Sequence, residues 1–181
     1  MKPVEVIDKY YKKGSISRRF LVEHSKSVAK KALEVAKNVP EMKPDLRFIE
    51  EASMLHDIGI FLTNAPVIGC SGDKEYICHG YLGRKILEKE GYPKHGLVCE
   101  RHLGVGISLE EIEVRNLPLP KRNMLPISLE EEIICFADKF FSKGEGLLKK
   151  EKSLEDIRKR LPDFGNSQEI FEGWMVKFKC N

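Results

Sequence analysis

Apolar residues recur every three or four positions along most of this chain, which is the spacing of amphipathic helices. No hairpin signal interrupts the pattern, so the sequence predicts an all-α protein built as a helical bundle. Capping residues and glycines mark the ends of the helices. Five helices are predicted, over about Ser15 or Ser17 to Asn38, Pro44-Asp45 to Gly59, Asp73 to Glu90, Lys94 to Leu103, and from the capping box at Ser128 onward.

The remaining segments are shorter helices and one long loop. Ser108 and Ser153 each precede Leu-Glu and predict two further helix starts. A docking helix is predicted in the tail, from about Ser167 to Lys179. Three prolines exclude a regular helix between Glu113 and Ser128. We therefore expect a single domain over residues 1–181, with a core at about 15–142 and a helical extension at about 153–180.

Four histidines and two aspartates stand out because each falls on the apolar side of a predicted helix. A single histidine on such a face is usually an ordinary core residue, but a buried carboxylate is costly unless it is paired or bound to a metal. Helical proteins build metal sites from inward-facing ligands of this kind on several helices. Neutral imidazole and carboxylate bind divalent iron, manganese, cobalt, nickel or zinc. The set is His24, His56, Asp57, His79, His102 and Asp138.

Composition narrows the class of protein. The 181 residues carry a formal net charge of +3, which gives no reason to expect a nucleic-acid partner. No apolar run approaches the roughly 20 residues needed to span a membrane. The N-terminus lacks the apolar stretch of a signal peptide, and none of the five cysteines forms a CxxC pair. These features predict a cytoplasmic protein with reduced thiols.

The order of these residues resembles that of the HD-domain superfamily of metal-dependent phosphohydrolases, whose pattern is H…HD…D on a five-helix core. The resemblance covers about residues 15–142 and lies in EHSKSVAKKALEVA, EEASMLHDIGIF and EEEIICFADKF. Two further histidines, in CHGYLGRKILEKEGYP and ERHLGVGIS, are similar to the dinuclear branch. That branch includes the symmetrical diadenosine-tetraphosphate hydrolases, the cyclic-dinucleotide phosphodiesterases and diiron oxygenases related to inositol oxygenase.

The resemblance implies a role for each ligand. One divalent ion would be held by His24, His56, Asp57 and Asp138. Asp57 would bridge to a second ion, completed by His79 and His102, and these three residues would be the catalytic ones. A metal-bridging hydroxide would then attack a phosphate ester or anhydride, most plausibly of a nucleotide. Iron or manganese is the favoured metal, and a homodimer is compatible with the pattern.

The sequence also departs from the family. Many of these phosphohydrolases carry a lysine three residues after the HD pair, where this chain has Ile60. A cation for the substrate must then come from elsewhere, and Lys121 and Arg122 in the proline-rich loop are the main candidates. Lys139 and Arg19 are weaker ones, and a solvated role is favoured for Lys139. His95, at a helix start, is expected at the surface.

Two other functions stay open at this level. A mixed-valent diiron oxygenase is one alternative, because it would use the same six ligands. The absence of the phosphohydrolase lysine is compatible with it. A non-catalytic module that binds a nucleotide for regulation is the other alternative. We expect the proline-rich loop, from about Asn116 to Pro126, either to cover the substrate entrance or simply to pack on the surface.

Overall fold

The computed structural model describes residues 2–144, 146–161 and 164–180. The fold is helical, as predicted, with one very small sheet. The α-helices are α1 (Pro3–Tyr10), α2 (Ile16–Asn38), α3 (Leu46–Leu55), α4 (His79–Lys89), α5 (Pro93–Arg101), α6 (Leu109–Val114), α7 (Leu129–Asp138), α8 (Leu154–Arg160) and α9 (Ser167–Lys177). The sheet pairs β1 (Asn64–Ala65) with β2 (Cys70–Ser71), antiparallel.

Side-chain caps fix where many of these helices begin. In each case an oxygen of the capping side chain accepts a hydrogen bond from the backbone N–H three residues later, which satisfies one of the donors left open at a helix start. The caps confirm the predicted starts of α2, α3, α6, α7 and α8. They are Ser15, Asp45, Ser108, Ser128 and Ser153.

Five helices surround the candidate site: α2, α3, α4, α5 and α7. Helices α4 and α5 lie against each other at close range, and a Cβ added at Gly80 would lie 2.7 Å from the Cys99 carbonyl oxygen. Apolar side chains fill the bundle on either side of the site. One cluster lies between α2, α3, α7 and α9, and the other joins α1, α2, α3 and α4.

Two predicted features are wrong in the segment between α3 and α4. The third helix does not begin near Asp73; a 3-10 turn over Tyr76–Cys78 leads into α4 at His79. The stretch before it contains the β1–β2 hairpin, which the pattern of apolar and polar residues did not predict. A Cβ on Gly72 would lie 2.2 Å from the Leu62 carbonyl oxygen, so this segment folds back tightly on the turn after α3.

The C-terminal helix docks on the bundle as predicted. The ring of Phe136 on α7 packs against Phe171, Trp174 and Phe178, with ring centroids 5.3, 6.4 and 5.4 Å away. The extension and the five-helix core therefore share one apolar cluster.

All five cysteines are free thiols, and within the described ranges no helix is long and apolar enough to cross a membrane.

Candidate metal centre

The structure brings the six predicted ligands together in the middle of the bundle. His24 comes from α2 and Asp138 is the last residue of α7. His56 and Asp57 lie in the turn directly after α3, which ends one turn earlier than predicted. His79 opens α4, and His102 caps the end of α5. All four histidines and Asp57 are at most 2% exposed, so the site is closed off from bulk solvent on most sides.

Asp57 lies between two groups of histidines. Its Oδ2 atom is 3.3 Å from Nε2 of His24 and 3.1 Å from Nε2 of His56. Its Oδ1 atom is 3.1 Å from Nε2 of His79 and 3.4 Å from Nε2 of His102. Asp138 Oδ1 joins the first group, 3.0 Å from Nε2 of His24 and 3.5 Å from Nε2 of His56. Each oxygen of one carboxylate thus faces a separate set of ligands.

Backbone carbonyls orient three of the imidazoles. Nδ1 of His56, His79 and His102 lies 2.6, 2.6 and 2.7 Å from the carbonyl oxygen three residues earlier. A carbonyl oxygen only accepts, so Nδ1 carries the proton and donates it. In the neutral ring, Nε2 is then an acceptor that points into the centre. This arrangement is typical of histidines that bind metals, whose other ring nitrogen is held by a hydrogen bond.

The donor set fits a divalent cation. Nε2 of His79 and Nε2 of His102 lie 3.3 Å apart and both face Asp57 Oδ1. Neutral imidazole nitrogens and a carboxylate oxygen repel one another unless a positive charge lies among them. His56 Nε2 and Asp57 Oδ1 are fully buried and make no hydrogen bond to any described residue. Unsatisfied buried acceptors are costly, and a metal ion among them removes that cost.

The electrostatics agree with a cation-binding centre. Burial alone would raise the pKa of Asp57, but the positive charges of His56 and Lys143 hold it well below its usual range. Burial lowers the pKa of His102 to about 4, so this imidazole is neutral at pH 7. Burial also disfavours charge on His56, yet the Asp57 and Asp138 carboxylates raise its pKa to about 9. Metal uptake would displace that proton.

Lys143 is a site residue that the sequence analysis missed. Its ammonium lies 2.8 Å from Asp57 Oδ2, and the Tyr76 ring lies beneath it at 5.8 Å. Nearby carboxylates and Tyr76 outweigh the effect of burial and raise the pKa of Lys143 above its usual value. This lysine places a positive charge beside the HD pair of a chain that has Ile60 where many of these phosphohydrolases carry lysine. The only signal in the sequence was its position five residues after Asp138.

Lys139 was expected to be solvated, and the structure places it inside. Only 12% of its side chain is exposed, and its Nζ atom lies 3.1 Å from Asp138 Oδ2. The same ammonium donates a hydrogen bond to the His102 carbonyl oxygen at 3.1 Å. Lys139 therefore ties the end of α7 to the end of α5, the two positions that carry Asp138 and His102.

A cavity of about 600 Å³ opens beside Asp138. It lies between the β-hairpin region, the end of α7 and α8. Its walls are apolar at Ile68, Phe141 and Ile157, and four positively charged side chains are also part of the lining. Those cations are Lys139, Lys143, Lys152 and Arg160. Burial lowers the pKa of Lys152 to about 8, and the charges of Lys139 and Arg160 act in the same direction. Such crowding of positive charge favours an anionic ligand.

The other predicted substrate cations do not reach this cavity. Arg122 forms an ion pair with Glu100, a carboxylate that is 1% exposed on α5. Lys121 is 76% exposed and lies 3.9 Å from Glu113. Arg19 is exposed on α2 and lies over the Phe20 ring. The proline-rich loop is therefore anchored to α5 through Arg122, an arrangement that fits packing on the surface, one of the two roles expected for it.

His95 also differs from expectation, because it is buried. It packs between the rings of Phe48 and Tyr92, and its Nε2 atom lies 3.6 Å from Glu51 Oε2. It lies outside the six-residue cluster. Burial lowers the pKa of His95, which makes a neutral core imidazole.

Comparison with known proteins identifies the family of the helical core. The HD domain matches residues 21–142, which include all six cluster residues. The tRNA (cytidine(56)-2'-O)-methyltransferase of Thermoplasma volcanium is 32% identical over 155 residues, covering 85% of this chain and 40% of that protein. The enzyme of the same name from Picrophilus torridus is 32% identical over 123 residues, covering 67% of this chain and 31% of that protein.

A third relative has no described activity. It is an uncharacterized protein of Methanocaldococcus jannaschii, 36% identical over 121 residues, which cover 65% of this chain and 64% of that protein. The chain thus spans between about a third and two thirds of the length of these relatives. No solved structure matches the chain with significance.

These relatives overturn the predicted function. A phosphohydrolase acting on a nucleotide through a metal-bridging hydroxide was expected, but two of these three relatives are named as tRNA (cytidine(56)-2'-O)-methyltransferases. None of the three is named as an oxygenase or as a regulatory nucleotide-binding module. The HD domain itself and the His/Asp cluster stand as predicted, and the error lies in the substrate and the reaction.

Proposed function

This chain belongs to the HD-domain family, and on that premise we propose that it is a metal-dependent enzyme that acts on tRNA. The observation that carries the proposal is the cavity beside Asp138, where one residue of the cluster of possible metal ligands and four cations line the same space. A ribose-phosphate unit of RNA matches this pairing. It presents a 2′-hydroxyl that can bind at a metal, beside a phosphate that can bind to lysine and arginine.

The reaction we propose is ribose 2′-O-methylation of tRNA, in which a sulfonium co-substrate transfers its methyl group to the 2′-oxygen and leaves as a thioether, while the hydroxyl proton passes to solvent. To this reaction the chain would contribute substrate binding and activation of the hydroxyl. The names of two relatives suggest this reaction. Those names describe whole proteins, of which the chain spans 40% and 31%. We therefore assign to the chain only what its cavity can perform. The four cations bind the phosphate next to the ribose, and the bundle holds the sugar against the centre.

Two divalent ions are part of the proposal. His24, His56, Asp57 and Asp138 would hold one, and Asp57, His79 and His102 would hold the other, as in the dinuclear branch of the family. A set of histidines and carboxylates suits iron or manganese. When bound, such ions supply Lewis-acid chemistry, which lowers the pKa of a coordinated hydroxyl. Lys143, in contact with Asp57, would balance the charge of the carboxylate and face the phosphate.

The proposal departs from the expectation that nucleic acid is not a partner. That expectation used the net charge of +3 for the whole chain. Residues 139–160 alone carry eight basic and four acidic residues, whereas the rest of the chain carries 23 basic and 24 acidic residues. The surplus of positive charge is therefore concentrated in the segment that lines the cavity. A local basic patch, rather than net charge, is what a phosphate backbone senses.

Binding of tRNA tests this proposal. The wild-type chain, loaded with Mn²⁺, is expected to bind a fluorescently labelled tRNA transcript in an anisotropy titration. Lys152→Met/Arg160→Met removes two cavity cations and keeps apolar length. We expect the Kd to rise about tenfold or more, and the slope of log K against log salt to fall by about 1 to 2 units.

A matched control separates the cavity from bulk charge. Lys12→Met/Lys37→Met removes two exposed cations that do not line the cavity, and it is expected to leave the Kd within about twofold. Failure of the wild type to bind tRNA, or an equal loss in both double variants, would refute the proposed site.

A further inference from the structure

A second cationic cleft adjoins the cavity beside the metal centre. It has a volume of about 440 Å³ and lies between α2 and the segment that follows α7. Phe141 forms part of the wall of both, so the two spaces are neighbours. Four lysines line the cleft: Lys26, Lys30, Lys31 and Lys149. Nothing in the reaction at the centre requires them.

Two lysines of α2, Lys26 and Lys30, lie on one face because of helical spacing. Lys26 and Lys30 are four residues apart, so they are neighbours along the helix surface. Both are exposed, and they flank the outer side of the helix whose inner side carries His24. Lys149 reaches the same cleft from the opposite wall and is also exposed. The cleft therefore begins within about one turn of a residue of the metal centre.

The charge in the cleft is only partly neutralised by the protein. Lys31 forms an ion pair with Glu151 at 2.8 Å, and its ammonium lies 4.5 Å from the Phe140 ring centroid. Lys30 lies 4.0 Å from Glu34, at the limit of an ion pair on an exposed surface. Glu23 is the other acidic residue in the lining. Surface ion pairs of this kind are weak and exchange readily for a multivalent anion.

We infer that this cleft binds the phosphate backbone of the RNA strand flanking the nucleotide held at the metal centre. The inference rests on the proposed function, because it extends the same substrate past Phe141. A positively charged groove that follows the backbone is the usual way in which proteins hold a strand without reading its sequence. The cavity would then hold one ribose-phosphate unit, and Lys26, Lys30 and Lys149 would contact the phosphates next to it.

The experiment compares a long and a short ligand. Lys26→Ser/Lys30→Ser/Lys149→Ser removes the less neutralised lysines of the cleft and leaves the cavity beside Asp138 unchanged. Lys12→Ser/Lys37→Ser/Lys89→Ser is the control, since it removes the same charge from exposed positions that line neither space. Each protein, loaded with Mn²⁺, is titrated with labelled tRNA transcript and with cytidine 3′-monophosphate, which fits within the cavity alone.

The inference predicts that the cleft variant binds tRNA at least tenfold more weakly than the control variant. Binding of cytidine 3′-monophosphate is expected to be equal in both. Equal tRNA affinities in the two variants would overturn the cleft while leaving the proposed function intact. A matching loss of mononucleotide binding would also overturn it, because the cleft would then not be a separate subsite. Absence of tRNA binding by the wild type would refute the proposed function itself.

Discussion

Asp57→Ala is expected to abolish the binding of both metal ions. Asp57 Oδ1 faces His79 and His102, while Oδ2 faces His24 and His56, so one substitution removes a ligand from each position. The second position would then keep only the uncharged ligands His79 and His102, and the first would lose one of its two carboxylates, leaving Asp138 as its only negatively charged ligand. We expect fewer than about 0.2 ions per chain by elemental analysis, against about two in the wild type.

The same variant should lose the stability that metal gives. At a metal concentration 100 times Kd, binding stabilises the folded state by about 2.7 kcal/mol. For a chain of this size, that corresponds to a rise in Tm of roughly 5 to 10 °C, which the variant should not show. Asp73→Ala is the control, because this carboxylate is 82% exposed and lies outside the cluster. Retention of two ions in Asp57→Ala would disprove the shared-ligand assignment.

Gly59→Ala is expected to disrupt the packing of the turn after α3 against α4. A Cβ at this position would lie 2.2 Å from the His79 carbonyl oxygen and 2.6 Å from the Gly83 nitrogen. Both are backbone atoms of α4, so no side-chain rotation can relieve the contact. Helix α4 would have to move away from the turn after α3, and His79 would move with it.

We expect this variant to lose about 1 to 3 kcal/mol of unfolding free energy, and with it the ion near His79 and His102. Thermal unfolding by circular dichroism and elemental analysis measure the two effects. Gly173→Ala is the matched control, since nothing lies within 4 Å of its added Cβ in the middle of α9. It should be neutral or stabilising by up to about 1 kcal/mol, because alanine favours helix. A Gly59→Ala protein that behaves like this control would contradict the packing described here.

Much of the helical framework could be read from the sequence because it depends on local patterns. Ser15 and Ser128 act through hydrogen bonds to residues three positions away, and the apolar stripe that contains His24 follows helical periodicity. The cluster residues could be identified because a polar side chain on an apolar helix face is costly to bury unless it is paired or binds a ligand. The inward faces of a small bundle meet in one core, so these side chains were expected to lie close together.

Other features depend on contacts between residues that are far apart in the sequence, which local patterns do not predict. Lys143 meets Asp57 across 86 positions, after the chain has left α7 and turned back toward the centre. Arg122 was a candidate substrate cation because loops often carry such residues, but it forms an ion pair with the buried carboxylate of Glu100. His95 is buried because rings from α3 and from the turn before α5 enclose it. The concentration of charge over residues 139–160 was visible in the sequence, but averaging over the chain concealed it.

The substrate could not be read from the metal ligands. Six histidines and aspartates specify what kind of ion can bind, whereas the substrate is recognised by the surrounding walls. Here those walls are formed by the segment after Asp138, where Lys152 and Arg160 are brought in by α8 and the turn before it. Helical periodicity gives no information about which loop closes over a centre.

Counting the metal ions in anaerobically purified protein tests whether the cluster of histidines and aspartates holds two ions. Elemental analysis should compare the wild type and His102→Ala after identical purification. We expect about two ions per chain in the wild type. In the variant we expect about one, because His24, His56, Asp57 and Asp138 remain while the second position keeps only Asp57 and His79. One ion in the wild type, or two in His102→Ala, would contradict this assignment.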